Sequence, residues 1–275
     1  DEEEEYDEDE EEEEYDEDEE EDEEAEQEEE SDDESNEYCN LNTYALVKDF
    51  PVQLKFMEYC GEDKINGTVK FSEKQWESIL FQIIFTLYVS QKMYKLNHND
   101  LHLGNILFQK TNNEYLYYKC PRYSKIYYFK IPTFGYIVKI IDWNRATFTL
   151  GDTFFSNDIF DEDGMCDGQF RFTQKKYKQK PCILPNEHTD LALLASSILE
   201  ENNIPKATAI YKLVKSWCTT KQNECIPEKY NGFTSYEKCS SCVNSNPSKL
   251  LWHSIFSKYT IAESHISKEI TIYSV

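Results

Sequence analysis

From Trp76 to Tyr88 the chain places apolar side chains on every side of a helix, and this stretch constrains the fold more than any other. Trp76, Ile79, Leu80, Phe81, Ile83, Ile84, Phe85, Leu87 and Tyr88 leave no polar face wide enough to meet water. A helix that is apolar all round has to be covered by other elements, so it belongs in the middle of a domain. Ser72 stands before it with Gln75 three residues on, a capping-box signature that predicts a helix from about Glu73 to Lys95. Its longest apolar run, Ile79 to Val89, is broken by Gln82 and Thr86. That run is short of the roughly 20 residues needed to span a bilayer, so no membrane partner is expected.

The rest of the chain can supply the cover. Aromatic residues make up 15% of the 275, including 20 tyrosines and 16 phenylalanines. The net charge of −26 is concentrated at one end: residues 1–37 hold 30 of the 54 acidic side chains and no lysine or arginine. Beyond them, 24 acidic residues face 28 basic ones. A run of like charges without apolar area cannot offset its ordering entropy, so 1–37 is expected to be a disordered acidic low-complexity segment. It reads as a solvated linker, with a basic partner as the sharper alternative. Residues 38–275 form the expected folded body. Nine cysteines, an odd count scattered through a body of this size, favour free thiols in a reducing, intracellular setting. The chain opens at Asp1 inside the acidic run, without a signal or transit sequence, and is expected to be a fragment.

Local patterns order the body. Residues 44–60 read as two short strands joined at Asp49–Pro51, the second placing Val52, Leu54 and Phe56 on one face. A loop around Gly61–Gly67 leads to the long helix. A polar loop from Asn97 to Asn105 then runs into a short strand at Ile106–Phe108. Strands are predicted at 115–119, 126–131 and 136–141. Their aromatics read as sheet packing, because too few basic residues interleave them for a base-stacking platform, and no direct nucleic-acid binding is expected. Residues 142–189 read as irregular, and helices return at about 190–201 and 206–217. No internal repeat is visible.

The chemistry concentrates in His98-Asn99-Asp100-Leu101-His102-Leu103-Gly104-Asn105, which sets a carboxylate and an amide five residues apart on a loop between a buried helix and a strand. A second carboxylate, Asp142, follows the apolar run Ile137–Ile141. Loops leaving a rigid scaffold are where catalytic groups tend to sit. Phosphoryl transfer needs one carboxylate to orient a hydroxyl and accept its proton, and a carboxylate with an amide to hold Mg²⁺ against nucleotide phosphates.

These residues resemble the catalytic loop of the protein kinase superfamily, His-Arg-Asp-Leu with Asn five residues after the Asp. The resemblance implies Asp100 as the catalytic base, and Asn105 and Asp142 as ligands of Mg²⁺, with ATP the phosphoryl donor. Ile141-Asp142-Trp143-Asn144 is similar to the metal-binding Asp-Phe-Gly segment. Phe56-Met57-Glu58-Tyr59-Cys60 resembles the last strand of an N-lobe entering the hinge. That likeness implies Met57 as gatekeeper and the backbone of Glu58, Tyr59 and Cys60 as adenine contacts. Asp190 matches the buried aspartate that braces the catalytic loop, and His98 is expected to support the loop with it. The implied fold is α+β and kinase-like: hinge strands and a mostly helical C-lobe over about 44–265, with the N-lobe largely absent. Asp49-Phe50-Pro51-Val52-Gln53, Pro132-Thr133-Phe134-Gly135 and Arg145-Ala146 further resemble serine/threonine kinases of giant nucleocytoplasmic DNA viruses, of mimivirus type. For a viral protein the expected location is the host cytoplasm or the virion.

Departures from the pattern carry their own implications. Asn99 replaces the arginine that reads a phosphorylated activation segment, which implies no need for that phosphorylation. His102 stands where many kinases have lysine and would offer a pH-dependent contact to the γ-phosphate. Asn144 replaces glycine, as asparagine visits positive φ readily. The Gly-rich loop, strand lysine and helix glutamate would all precede residue 44, and 1–37 contains neither lysine nor glycine. Lys48 is too near Met57 to be that lysine and reads as a surface residue.

Weaker signals fall to simpler readings. Cys218, Cys225, Cys239 and Cys242 include one pair at zinc spacing, but the other pair is six residues apart, so free thiols are favoured over zinc. His188 reads as a packing residue. Asp158, Asp161, Glu162, Asp163 and Asp167 miss the calcium-loop spacing. The resulting expectation is a serine/threonine protein kinase acting on a protein substrate. A small-molecule kinase of aminoglycoside or choline type and a non-catalytic pseudokinase scaffold are the alternatives.

Overall fold

A computed structural model of the chain describes residues 58–60, 70–160, 164–166, 169, 186–201, 204–267 and 270–275. Chain contacts divide it into Asp1–Lys55 and Phe56–Val275, and all described residues belong to the second unit. The acidic segment, the strands expected before residue 58, Lys48, Met57 and the carboxylates Asp161, Glu162, Asp163 and Asp167 lie outside the described residues.

The central helix α1 runs Glu73–Tyr94. Its capping box is formed in both directions: Ser72 Oγ accepts from the Gln75 N–H at 3.4 Å, and Gln75 Oε1 accepts from the Ser72 N–H at 2.9 Å. Lys95, left-handed at φ 47°, ends it. Buried side chains lie all round the helix, as the pattern requires. The polar residues buried among them each tie α1 to a neighbour. Ser78 donates to the Pro132 carbonyl at 2.6 Å, Gln82 Oε1 accepts from Val138 N–H at 2.9 Å, and Glu77 accepts from Lys258 at 2.6 Å and the Tyr259 hydroxyl at 2.5 Å. Buried polar groups are tolerable when they are bonded in this way.

Four strands follow, β1 (Ile106–Lys110), β2 (Tyr115–Arg122), β3 (Lys125–Pro132) and β4 (Tyr136–Ile140). β1 pairs antiparallel with β4, so the β2–β3 hairpin is an excursion between them. β3 also pairs with β7 (Thr260–Ile261), and β2 runs parallel to β8 (Ile272–Ser274), giving a four-stranded sheet in the order β7-β3-β2-β8. The sheet packs on α1 through rings: Phe81 sits 5.3 Å from Tyr118 and 5.1 Å from Phe129, and Phe85 sits 4.6 Å from Tyr118. Its aromatics thus serve packing, as the sequence suggested.

The stretch read as irregular contains a further hairpin, β5 (Phe148–Leu150) and β6 (Thr153–Phe155), turning at Gly151 with φ 59°. Helix α2 (Thr189–Glu200) is almost wholly buried. α3 (Ala209–Trp217), capped by Thr208, packs on α2 together with α4 (Ile226–Lys229) and α5 (Gly232–Cys239), and α6 (Pro247–Leu250) packs on α1. No helix among the described residues is long and apolar enough to cross a membrane.

Candidate active site

The pairing of β1 with β4 builds the site. Ile106 lies opposite Ile140, and one further bond, from Ile141 N–H to the Asn105 carbonyl at 3.0 Å, extends the ladder by a residue. β1 leaves this end of the ladder and β4 arrives at it. The loop before Ile106 and the segment after Ile141 therefore meet, bringing Asp100, Asn105 and Asp142 to one place. A second tie closes the base of the loop: Asn97 and Thr147 exchange backbone bonds at 2.9 and 3.0 Å.

From below, Asp190 in the first turn of α2 is completely buried, and its two oxygens accept from the backbone N–H groups of His98 and Asn99, each at 2.9 Å. Burial pushes this carboxyl above the usual carboxylate range, while His98 and the two N–H donors pull it back down. The His98 ring, fully buried, bonds through Nε2 to the Ile141 carbonyl at 2.8 Å and lies 4.7 Å from the Trp143 ring. Its Nδ1 accepts from Asp100 N–H at 3.3 Å, which assigns the proton to Nε2. Asn99 adopts φ 66°, a left-handed turn that asparagine tolerates better than most residues. Its Nδ2 donates to the Arg145 carbonyl at 2.8 Å and to Thr147 Oγ1 at 2.9 Å.

Asn105 Nδ2 donates to the Asp100 carbonyl at 2.9 Å. Since a carbonyl only accepts, the amide nitrogen is committed there and Oδ1 remains as a ligand oxygen. Asp142, exposed, has φ 62° and ψ 63° and opens the 3₁₀ turn Trp143–Arg145. Here the structure corrects an expectation: positive φ falls on Asp142, and Asn144 sits inside the 3₁₀ turn with no such need. An amide oxygen and a carboxylate suit a hard divalent cation. Among the described residues no group of three or more His, Cys, Asp or Glu is arranged to hold a metal. A cation held by two protein oxygens would complete its shell with phosphate and water, as Mg²⁺ commonly does.

His102 is exposed and turned back on its own chain, where Nδ1 accepts from Gly104 N–H at 3.1 Å. A Cβ on Gly104 would come 2.8 Å from the ring, so only glycine allows this cap. Of the residues expected to form a hinge, Glu58 lies 3.8 Å from Lys139 and 3.4 Å from Gln109, setting the segment against β1 and β4. Tyr59 is exposed and Cys60 half-buried. His188 precedes α2, contacts Ser245 at 3.4 Å, and is pushed below its usual pKa by burial.

Three residues around Asp100 were not reached by sequence reasoning as site residues. Arg145 Nη1 donates to Asp100 Oδ1 at 3.1 Å, and the Tyr236 hydroxyl on α5 donates to the same oxygen at 2.7 Å. Gln169, fully buried, accepts from Arg145 Nη1 at 3.3 Å and donates to the Asn99 carbonyl at 3.0 Å. Asn99 does remove a cation from the loop itself, yet Arg145 returns one from 45 residues downstream.

The cysteines Cys218, Cys225, Cys239 and Cys242 are buried free thiols around α3–α5. Burial raises the Cys239 thiol well above its usual value and pushes Cys242 up to about 12.

Comparison with known proteins gives the following likenesses. The family described as a haspin-like kinase domain matches residues 41–171, a span that takes in the loop, Asn105 and Asp142. The serine/threonine-protein kinase haspin homolog of Drosophila melanogaster is 25% identical over 192 residues, covering 68% of this chain and 33% of the fly protein. Mouse serine/threonine-protein kinase haspin is 31% identical over 102 residues, 37% of this chain and 13% of the mouse protein. An uncharacterized protein, 098R, of Invertebrate iridescent virus 6 is 35% identical over 66 residues, 24% of this chain and 11% of the viral one. Residues 41–171 are thus similar to a haspin-like kinase domain, and the described residues mix helices and sheets. The chain spans about a third of the length of the fly relative.

Proposed function

We propose that the protein transfers the γ-phosphoryl group of ATP to a serine or threonine hydroxyl of a protein substrate. One observation carries the reading. The β1–β4 ladder brings Asp100, Asn105 and Asp142 to one end, over a buried Asp190 that binds the loop backbone. In this reading Asp100 orients the substrate hydroxyl and accepts its proton. Asn105 Oδ1 and the Asp142 carboxylate hold Mg²⁺, which would neutralise charge on the nucleotide phosphates. Segment 58–60, placed against β1 and β4, is the adenine-side hinge, with Met57 as its gatekeeper. His102 is a helper whose γ-phosphate contact would require it to give up its bond to Gly104. The names of the fly and mouse relatives favour a protein hydroxyl over a small molecule. A viral origin is supported by the likeness to the uncharacterized iridescent virus protein and by Pro132–Gly135 and Arg145-Ala146.

The test is transfer of label from radiolabelled ATP to a generic basic protein, with the purified full-length gene product and Mg²⁺. An Asp100→Asn variant runs in parallel. Label on serine or threonine is expected, reduced roughly 10²- to 10⁴-fold in the variant, the range of a lost general base. Equal labelling by the two proteins, or none from folded wild type, would overturn the reading.

A further inference from the structure

We infer that Arg145 and Tyr236 together clamp Asp100 and act as positioning residues for phosphoryl transfer; the inference rests on the kinase reading above. Both donors land on one atom. The Tyr236 hydroxyl reaches Asp100 Oδ1 at 2.7 Å and Arg145 Nη1 reaches it at 3.1 Å. With Oδ1 occupied twice, the rotamer of Asp100 is fixed, and Oδ2 is the oxygen left, among the described residues, for an incoming hydroxyl. A carboxylate that accepts several lone-pair bonds can hold two donors on one oxygen and still accept on the other.

The clamp is itself held from several elements. Arg145 sits at the end of the 3₁₀ turn opened by Asp142, so the metal-side carboxylate and the base-side cation are set by one turn of backbone. Its carbonyl takes the Asn99 amide at 2.8 Å, and its guanidinium also meets Gln169, whose amide returns to the Asn99 carbonyl at 3.0 Å. Arg145, Gln169 and Asn99 thus close a ring beside the base, made of one cation and two neutral amides. Gln169 gives the guanidinium a neutral second partner where an activation-segment phosphate could otherwise serve. Tyr236 comes from the far side, on α5, whose Cys239 is fully buried. Burial and the neighbouring Asp100 carboxylate raise the Tyr236 phenol above its usual pKa, so the hydroxyl stays a donor.

Tyr236 has a second place in the geometry. With Asp100, His102, Ser196, Ser197 and Glu200 it lines a cavity of about 250 Å³ that opens beside the base. The hydroxyl that holds Asp100 therefore also borders the space from which an acceptor residue approaches. In the transfer step the acceptor hydroxyl proton passes to Asp100 Oδ2. The new O–P bond forms as the bond from the γ-phosphorus to the ADP oxygen breaks, and neither Tyr236 nor Arg145 gives up a proton. Both act through Asp100, by orientation and charge.

The experiment measures kcat and KM for ATP and for the basic protein substrate, using the full-length protein. The variants are Tyr236→Phe, Arg145→Ala, Arg145→Lys and Asp100→Asn, each with its melting temperature. Tyr236→Phe keeps the ring and removes one donor, so kcat should fall roughly 10-fold, with KM for ATP and the melting temperature unchanged. Arg145→Ala should lower kcat further, and Arg145→Lys, which keeps the charge, should recover part of the loss. A Tyr236→Phe kcat within twofold of wild type overturns the clamp. So does a loss that lies wholly in KM for ATP or that tracks the melting temperature, and so does an Arg145→Lys variant no better than Arg145→Ala. Failure of the kinase reading shows itself differently: wild type transfers no label, or Asp100→Asn transfers as much.

Discussion

The loop from Asn97 to Asn105 and the sheet β7-β3-β2-β8 share the core built on α1, yet they are fixed by different physics. The loop is held atom by atom: Asp190 takes two backbone N–H groups, His98 bridges Asp100 N–H to the Ile141 carbonyl, and Asn99 reaches Arg145 and Thr147. The sheet is held by area, through Phe81, Phe85, Tyr118 and Phe129 in ring contact. Apolar burial is non-directional, so it stabilises without specifying a geometry to a few tenths of an ångström. Hydrogen bonds add little net stability each but penalise any departure, because a buried donor left unpaired loses its solvation. The molecule therefore places its directional bonds where chemistry would need fixed atoms.

The largest expected effect breaks the sheet side. Phe81 is fully buried and touches Tyr118, Phe129 and Phe256 at 5.1–5.4 Å between ring centres. Phe81→Ala should cost about 3–5 kcal/mol of unfolding free energy, measured by denaturant titration. If the loop is fixed by its own bonds, amide exchange at His98 and Asn99 should rise only as far as the global loss requires. A loop that loosens well beyond that would show that the sheet, too, sets the site.

The converse change is smaller. Asp190→Asn keeps the shape but replaces one of two acceptor oxygens with a donor, leaving one backbone N–H of His98 or Asn99 without an acceptor. The expected cost is about 2 kcal/mol, within the range for a buried unpaired donor, reduced by relief of a buried charge. It should appear first as faster exchange at those two amides. An unchanged denaturant midpoint with unchanged exchange would contradict the atom-by-atom account.

How much of this was legible in the sequence follows the same division. α1 was visible because its signals are local: Ser72 with Gln75, then apolar residues at every angle. β2, β3 and β4 were visible from aromatic and β-branched runs; the structure extends β2 by three residues and β3 by one at each end, and ends β4 one residue earlier. The β5–β6 hairpin was passed over although Gly151-Asp152 between Phe148 and Phe155 is a turn signal, because two three-residue strands are too short to show alternation. Asp100, Asn105 and Asp142 could be proposed from the sequence because fixed spacing carries them. Tyr236 and Gln169 could not, since they lie 136 and 69 residues from Asp100 and no local pattern marks a side chain that arrives by tertiary folding. Asn144 stands where the resembled pattern has glycine and was expected to tolerate positive φ there, whereas the left-handed turn lies two positions earlier, on Asp142.

The cysteines around α3–α5 test the area side of the comparison by pH. The Cys242 thiol rises from 9.0 to about 12 through burial, with Cys225 beside it as the lesser cause. As pH rises past about 9.0 the unfolded thiol ionises while the folded one keeps its proton, so stability falls until about 12. Between pH 8 and pH 10 the expected loss from this group is about 1 kcal/mol. Cys242→Ala should flatten that slope. A slope identical in the variant would show that Cys242 is not packed as an apolar side chain.

The smallest effect sharpens the comparison, because it falls on the element that the loop and the sheet share. Ser72 lies at the exposed start of α1, where its side chain forms the capping box with Gln75. Ser72→Ala should cost about 1 kcal/mol, the usual size of a lost N-cap. Gly in its place should cost less, since glycine is itself a fair N-cap. The informative readout is where the loss appears. α1 touches β3 and β4 directly, while the loop is joined to its C-terminal end through Lys95 and Leu96. Fraying from the N-terminus should therefore raise exchange near Ser78 and Pro132 before it reaches Asn97. Equal acceleration at both ends would mean that α1 opens as one unit, so that the atom-by-atom bonds of the loop hold only while the whole helix does.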